Sequence, residues 1–324
     1  MNKKKNYSIT SFETSVLFLV FNRPDTTAKV FEKIRQVKPP KLYLACDGPR
    51  DKHQEDKEKV KKVREIATMI DWPCEVKTLF RETNLGCKKG VSSAINWFFE
   101  FEEQGIILED DCVPSTEFFF FCENLLEYYS KDERVSAISG DNFQNNQWRG
   151  EGSYYFSKYP HCWGWATWKR SWKNFDYDLS FWPNWCNSDT WLSVIPEKIE
   201  RKYWQRIFNQ VFTKQIDSWA YPWTASIWYK GGLTVIPNVN LVSNIGFTEN
   251  ATHTRSKSSK SSNIPIGELG DLVHPKNVMI DMEADKFVFK NHFGGKNLQF
   301  PYRILSSIFR NTKGVIRKLY KNII

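Results

Sequence analysis

Short apolar runs, each stopped by turn residues, alternate with helical spacing between residues 16 and 140. Residues 16–21 (VLFLVF) run apolar without a break and stop at Asn22-Arg23-Pro24. A run this short predicts a strand buried on both faces. Val30, Phe31, Ile34 and Val37 then recur at helical spacing, with Asp25 placed to cap the helix. Residues 42–46 form a second strand ending at Asp47-Gly48-Pro49, and Val60, Val63, Ala67 and Ile70 mark the next helical face. Residues 75–80 read as a third strand, 91–101 as an aromatic helix and 106–108 as a fourth strand. Pro114 is placed to open a helix carrying Phe118, Phe121, Leu125 and Tyr128, and residues 135–139 form a fifth strand. This rhythm predicts an α/β fold with a mostly parallel sheet and helices on both faces.

The pattern then changes. Residues 148–228 are crowded with Trp, Tyr and Phe without clean alternation, and residues 233–236 read as one more strand. Residues 254–263 (TRSKSSKSSN) have the composition of a mobile loop. At the C-terminal end, Ile304, Ile308, Val315, Leu319 and Ile323 fall on one helical stripe, with Leu305, Phe309, Ile316, Tyr320 and Ile324 beside it. The chain thus divides into a nucleotide-sugar-binding half at 14–140, an acceptor-binding half of the same domain at 141–292, and an amphipathic helix at 301–324. No internal repeat is visible.

Composition sharpens this division. The 324 residues are 41% hydrophobic and 16% aromatic, enough for a large core. The formal net charge is +9. Lys3, Lys4 and Lys5 at one end, and Arg303, Arg310, Lys313, Arg317, Lys318 and Lys321 at the other, account for the whole excess. The body between them is neutral, which argues against a nucleic-acid partner. The basic, acid-free C-terminal helix instead suits an anionic membrane surface. The seven cysteines are odd in number, scattered and free of any C-x-x-C pair, as expected of reduced thiols. No signal-peptide core or transmembrane-length apolar run is present, so the expected location is cytoplasmic, peripheral on the inner face of the membrane.

The candidate chemistry lies at Glu109-Asp110-Asp111. The preceding Ile106, Ile107 and Leu108 place these acids at the carboxyl end of a strand, where open α/β sheets bind ligands. Three adjacent carboxylates repel one another, and a bound Mg²⁺ or Mn²⁺ relieves that repulsion. A solvated acidic turn is the other reading of these residues alone. There is no G-x-G-x-x-G, P-loop, G-x-S-x-G or H-E-x-x-H motif. A metal–diphosphate site beside an aromatic-rich half points to sugar-nucleotide chemistry.

Taken in order, these elements resemble a GT-A-fold glycosyltransferase of the N-acetylglucosaminyltransferase I type and its bacterial relatives. The resemblance implies that the turn at Asn22-Arg23 meets the nucleotide and that Asp47 contacts the base or ribose. It gives Arg81, Asn84 and Gly86, in Arg81-Glu82-Thr83-Asn84-Leu85-Gly86, to the same nucleotide sugar, expected to be UDP-linked. Glu109-Asp110-Asp111 takes the role of the D-x-D element: Asp111 ligates the metal, while Glu109 and Asp110 hold ribose and ligand waters. His161, Trp163, Gly164 and Trp165 resemble the Gly-Trp segment shaping the donor and acceptor pocket. Asp217, in Ile216-Asp217-Ser218-Trp219, resembles the catalytic base, in an apolar setting made by Trp219, Tyr221 and Trp223; Trp219 joins the pocket. The segment from Asn244 to Thr254 resembles a loop closing over the diphosphate, with His253 on metal or phosphate. Asp176-Tyr177-Asp178 is a literal D-x-D, but it follows no strand and reads as a surface turn.

The expected activity is metal-dependent, inverting transfer of a hexose or N-acetylhexosamine to a saccharide or lipid-linked acceptor, in surface-polysaccharide or glycolipid assembly. One alternative is a nucleotidyltransferase that makes sugar nucleotides, which should carry a glycine-rich loop where Asn22-Arg23-Pro24 stands. Another is a non-catalytic carbohydrate-binding protein, which has no use for three acids at a strand end.

Overall fold

The computed structural model describes residues 12–247 and 263–299. Strand β1 (Val16–Val20) is buried at every position. Helix α1 (Pro24–Val37) follows, then β2 (Lys41–Cys46), α2 (Asp56–Ala67), β3 (Glu75–Phe80), α3 (Cys87–Phe101) and β4 (Gln104–Glu109). A short β5 (Cys112–Pro114) precedes α4 (Thr116–Tyr128) and β6 (Val135–Ser139). The aromatic region holds β7 (Tyr154–Ser157), β8 (Trp165–Trp168), α5 (Lys169–Trp172), α6 (Trp182–Trp185), α7 (Asp189–Val194), α8 (Lys198–Phe212) and α9 (Ala220–Tyr229). Strands β9 (Leu233–Pro237) and β10 (Val242–Asn244) and helix α10 (Met282–Asn291) complete the described elements, with a 3-10 turn at Gly295–Leu298.

Two helix starts differ from expectation. Pro24 occupies the first turn of α1 and Arg23 is its cap residue, so Asp25 lies inside the first turn rather than capping it. Pro114 ends β5, which pairs antiparallel with β10, and Ser115 caps α4 by accepting from Phe118 N. Proline at a strand end costs no ladder bond, and the hydroxyl of Ser115 is the better cap.

The eight-stranded sheet has the order β3-β2-β1-β4-β8-β6-β9-β7. β3, β2, β1 and β4 are mutually parallel; β8 runs antiparallel between β4 and β6. The fold is therefore mixed α/β, and strands from both sides of residue 140 share one sheet. β8 escapes sequence reading because all four of its residues are buried, so no polar position marks its two-residue period. Ala166 and Trp168 pack into one core and Trp165 into the other.

The period is clearer in β1. Val16, Phe18 and Val20 join the core beneath α1, α2 and α4, whereas Leu17 and Leu19 join the opposite core with α3, α8 and α9. The aromatic-rich half builds that second core. Trp182, Trp191, Trp204, Trp223 and Trp228 are each no more than 2% exposed. Most of its rings are thus interior packing, each contributing a large apolar burial. Among the described residues no helix is long and apolar enough to cross a membrane. The expected amphipathic helix at 301–324 and the Ser/Lys loop at 254–262 lie outside the described residues.

Candidate active site at the carboxyl ends of the strands

Register alone assembles the acidic site. Val20 lies opposite Cys46 and Leu19 opposite Glu109 in adjacent parallel strands. Asn22-Arg23, Asp47 and Glu109-Asp110-Asp111 therefore emerge side by side at one sheet edge. Carboxyl strand ends are where such sheets hold ligands.

The acids already have a cation from their own chain. Arg23 Nη2 lies 2.7 Å from Asp110 Oδ1, and Arg23 Nη1 lies 2.6 Å from Asp111 Oδ2. Asp110 is 2% exposed and also accepts from Phe21 N at 3.2 Å. Burial pushes the Asp110 carboxyl up, with Arg23 pulling against it. Glu109 is pushed up by burial and then by the charge of Asp111; Arg23 and a hydrogen bond from the Trp219 side chain oppose this. Burial alone would weaken the charge on Arg23, but Asp110 and Asp111 outweigh it and keep the guanidinium protonated. Arg23 thus takes part of the neutralising role that the sequence assigned to a metal.

The other nucleotide-side residues knit loops together. Asn22 donates to Asp56 Oδ1 at 2.7 Å, and Arg50 clamps the same carboxylate at 2.6 and 3.0 Å. Burial opposes ionisation of Asp56, but the bonds from Arg50 and Asn22 win and hold its carboxyl at about 2. Asp47 accepts the backbone N–H groups of Gly48 and Leu85. Asn84 spans from Gly48 O to Gly86 N, and Arg81 donates to Ser93 Oγ at 2.9 Å. The Asn22–Asp56–Arg50 triad was not legible in the sequence, since Asp56 there is one charge in a long charged stretch.

Asp217 arrives from the aromatic half and sits over the first turn of α3. Its Oδ1 accepts from Lys88 N at 3.3 Å, and a Cβ on Gly86 would lie 3.2 Å from its Oδ2. An anion is favoured over the amide end of a helix. The apolar setting expected around Asp217 is not there: Asp217 is exposed, while Trp219 and Trp223 turn into the core. Cys87, the first residue of α3, feels the charges of Glu109, Asp217 and Arg23 together, so the three converge on this helix end.

The expected pocket wall is mostly interior. His161 is 8% exposed, stacked near Tyr159, and burial pulls it well below the ordinary histidine range. Trp165 and Trp219 stack on each other at 5.5 Å and 19°, both buried. They hold the Asp217 segment against β8, and both are too deeply buried to present a face to a sugar. Trp163 is half-buried, packed edge-on to Phe143 and Phe247. Gly164 has φ +73°, and a Cβ there would lie 2.8 Å from Val242 Cγ2. Gly246 has a similar steric reason: a Cβ would lie 2.0 Å from Asp111 Oδ2. The chain after β10 therefore lies across the acids, with Ile245 N donating to Asp111 O at 2.8 Å. His253 lies outside the described residues.

Asp141 was not singled out in the sequence, though it too follows a strand. It is 1% exposed beyond β6, near Cys162, and burial pushes its carboxyl up to about 7. Among the described residues no three His, Cys, Asp or Glu side chains converge as a ready-made metal cage. Among the described residues Asp111 Oδ1 accepts from Cys112 Sγ at 3.4 Å. This donor set fits Mg²⁺ or Mn²⁺ shared with substrate phosphates, which such ions accept with one or two carboxylates; it does not fit an ion held by protein alone.

No protein-family model matches the chain, and no curated protein matches it. Similar solved structures include TarS 1-349 from S. aureus, at 12% identity and TM-score 0.34, covering 52% of this chain. That match spans about half of the TarS chain (51%). A 4-diphosphocytidyl-2C-methyl-D-erythritol synthase from Anaerococcus prevotii matches at 8% identity and TM-score 0.31, covering 55% of this chain and 79% of its own. HddC from Yersinia pseudotuberculosis matches at 11% identity and TM-score 0.32, covering 52% and 85%.

Proposed function

We propose that the protein is an inverting glycosyltransferase that takes a sugar from a nucleotide-diphosphate donor and passes it to a hydroxyl of a saccharide or lipid-linked saccharide. One observation carries the reading. Asp217, an exposed carboxylate that accepts from Lys88 N at the head of α3, acts with the charges of Glu109 and Arg23 on Cys87 at that same helix end. A donor diphosphate at the strand ends then has its anomeric carbon within the cleft that Asp217 borders.

Asp47 and the Asn84 turn offer the nucleoside end its seat, and Arg23 offers a guanidinium to the phosphates. Asp111 would hold Mn²⁺ or Mg²⁺ jointly with the diphosphate. When bound, the ion supplies charge neutralisation for the departing nucleotide. Asp217 accepts the proton of the acceptor hydroxyl as that oxygen attacks, so the anomeric carbon inverts. The basic stripe at 301–324 would keep the enzyme at the inner membrane surface, where lipid-linked acceptors reside.

Calorimetric titration of UDP with and without Mn²⁺, followed by UDP release from UDP-sugars, tests the reading. Metal-enhanced UDP binding and slow UDP release are expected. No binding of any nucleoside diphosphate in either condition would overturn it. Pyrophosphate release from a nucleoside triphosphate and a sugar 1-phosphate would transfer the protein to the nucleotidyltransferases.

A further inference from the structure

Of the aromatics assigned to the acceptor pocket, His161, Trp165 and Trp219 are buried and Trp163 is half-buried against Phe143 and Phe247, so a sugar ring needs another face beside Asp217. The structure places one there. Asp176 folds the turn between α5 and α6 by accepting from Asp178 N at 3.1 Å and Ser180 N at 2.7 Å. That turn holds Tyr177 outward, 38% exposed. Lys88 Nζ lies 4.0 Å from the centre of the Tyr177 ring. The backbone N–H of the same Lys88 binds Asp217. One buried residue therefore ties the exposed ring and the exposed carboxylate together.

We propose that Tyr177 is the stacking platform for the acceptor saccharide, with Lys88 fixing the ring beside Asp217. This rests on the glycosyltransferase reading above and names the acceptor subsite within it. Three features support it. Among the described residues the Tyr177 ring stacks on no other aromatic ring, and it stays 38% exposed with Lys88 over it. The charges of Asp217 and Asp178 both reach its hydroxyl, behind the effect of burial, which puts polar groups at the ring's edge. A sugar presents that combination: an apolar C–H face for a ring and hydroxyls for carboxylates and ammonium groups. Two other exposed rings are stacked on neighbours: Tyr229 on Phe181 at 4.2 Å and Tyr128 on His274 at 3.9 Å.

The test uses the full chain with UDP and Mn²⁺, and the methyl β-glycosides of glucose, galactose and N-acetylglucosamine as probes. Saturation-transfer NMR should show at least one glycoside receiving saturation through its ring protons. Tyr177→Ala should weaken that glycoside about fivefold, within the range for a stacked aromatic contact. Tyr177→Phe should retain it, since the face is unchanged. Thermal melting checks that both variants are folded. Equal glycoside binding by Tyr177→Ala, or no glycoside bound by a wild-type protein that binds UDP, overturns the subsite alone. A wild-type protein that binds no nucleoside diphosphate overturns the transferase reading, and the subsite falls with it.

Discussion

Arg23 Nη1 stands 2.6 Å from Asp111 Oδ2, across 88 positions of chain. The contact joins the ends of two adjacent parallel strands, while among the described residues Asp111 Oδ1 accepts only from the Cys112 thiol. A divalent ion held at Asp111 would have to share the carboxylate with Arg23. On the proposed reading, in which Asp111 would hold the ion, we expect Asp111→Asn to lower Mn²⁺-dependent affinity for UDP by about tenfold or more. UDP affinity without metal should change little. Calorimetry of both proteins with and without Mn²⁺ decides it; an unchanged metal effect removes Asp111 as the ligand.

Asp217 has two roles that one substitution separates. It accepts from Lys88 N over the start of α3, and it is the proposed base. Asparagine still caps a helix, so Asp217→Asn should keep the fold and the donor. It cannot take a proton, and turnover should fall by about 10²–10⁴. Near-normal turnover, measured as UDP release in the presence of an acceptor, leaves Asp217 as a structural cap only.

Asp141 makes stability depend on pH. Its carboxyl has an ordinary value of 3.8, and burial raises it to about 7 in the folded protein. Between those values the unfolded chain releases the proton and the folded chain keeps it. Folding stability from this group is therefore greatest at acid pH and falls as pH rises from 3.8 to about 7, then levels. The slope is at most about 1.4 kcal/mol per pH unit. Asp141→Asn is neutral throughout, so its melting temperature should gain on wild type across that window. Taking the difference cancels the opposing effect of the buried His161, whose depressed value costs stability as pH falls. A difference that does not grow with pH shows that Asp141 is ionised inside the fold.

The first sheet half was readable because buried parallel strands announce themselves as unbroken apolar runs, and the acids stand where those runs stop. Arg23 was legible as a strand-end residue but its partners were not, because its pairing with Asp110 and Asp111 is a contact between strand ends. β8 was hidden for a similar reason. Trp165 and its neighbours become a strand only by pairing with β4 on one side and β6 on the other, and burial on both faces erases the period. Tryptophan density misled most. A ring that packs a core and a ring that receives a sugar look alike in sequence, and only the fold shows that Trp165 is covered while Tyr177 is exposed. The turn at Asp176-Tyr177-Asp178 was correctly read as a turn, but its approach to Asp217 depends on Lys88, far away in sequence.

The basic stripe at 301–324 yields the last prediction. On the helix expected from the sequence, six Lys and Arg residues with no acid among them would stand beside two apolar rows. A helix that packs on its own domain gains nothing from an acid-free polar face, whereas each such cation near an anionic bilayer contributes about 1 kcal/mol. Apolar burial adds to this. The full chain should therefore sediment with vesicles containing anionic lipid and much less with neutral ones. Binding should weaken as salt shortens the reach of the charges. A chain ending at residue 300 should stay folded and remain in the supernatant with both vesicles. If the full chain ignores anionic vesicles, or the shortened chain unfolds, the stripe serves the protein's own core or a subunit contact, and another route must bring lipid-linked acceptors to Asp217.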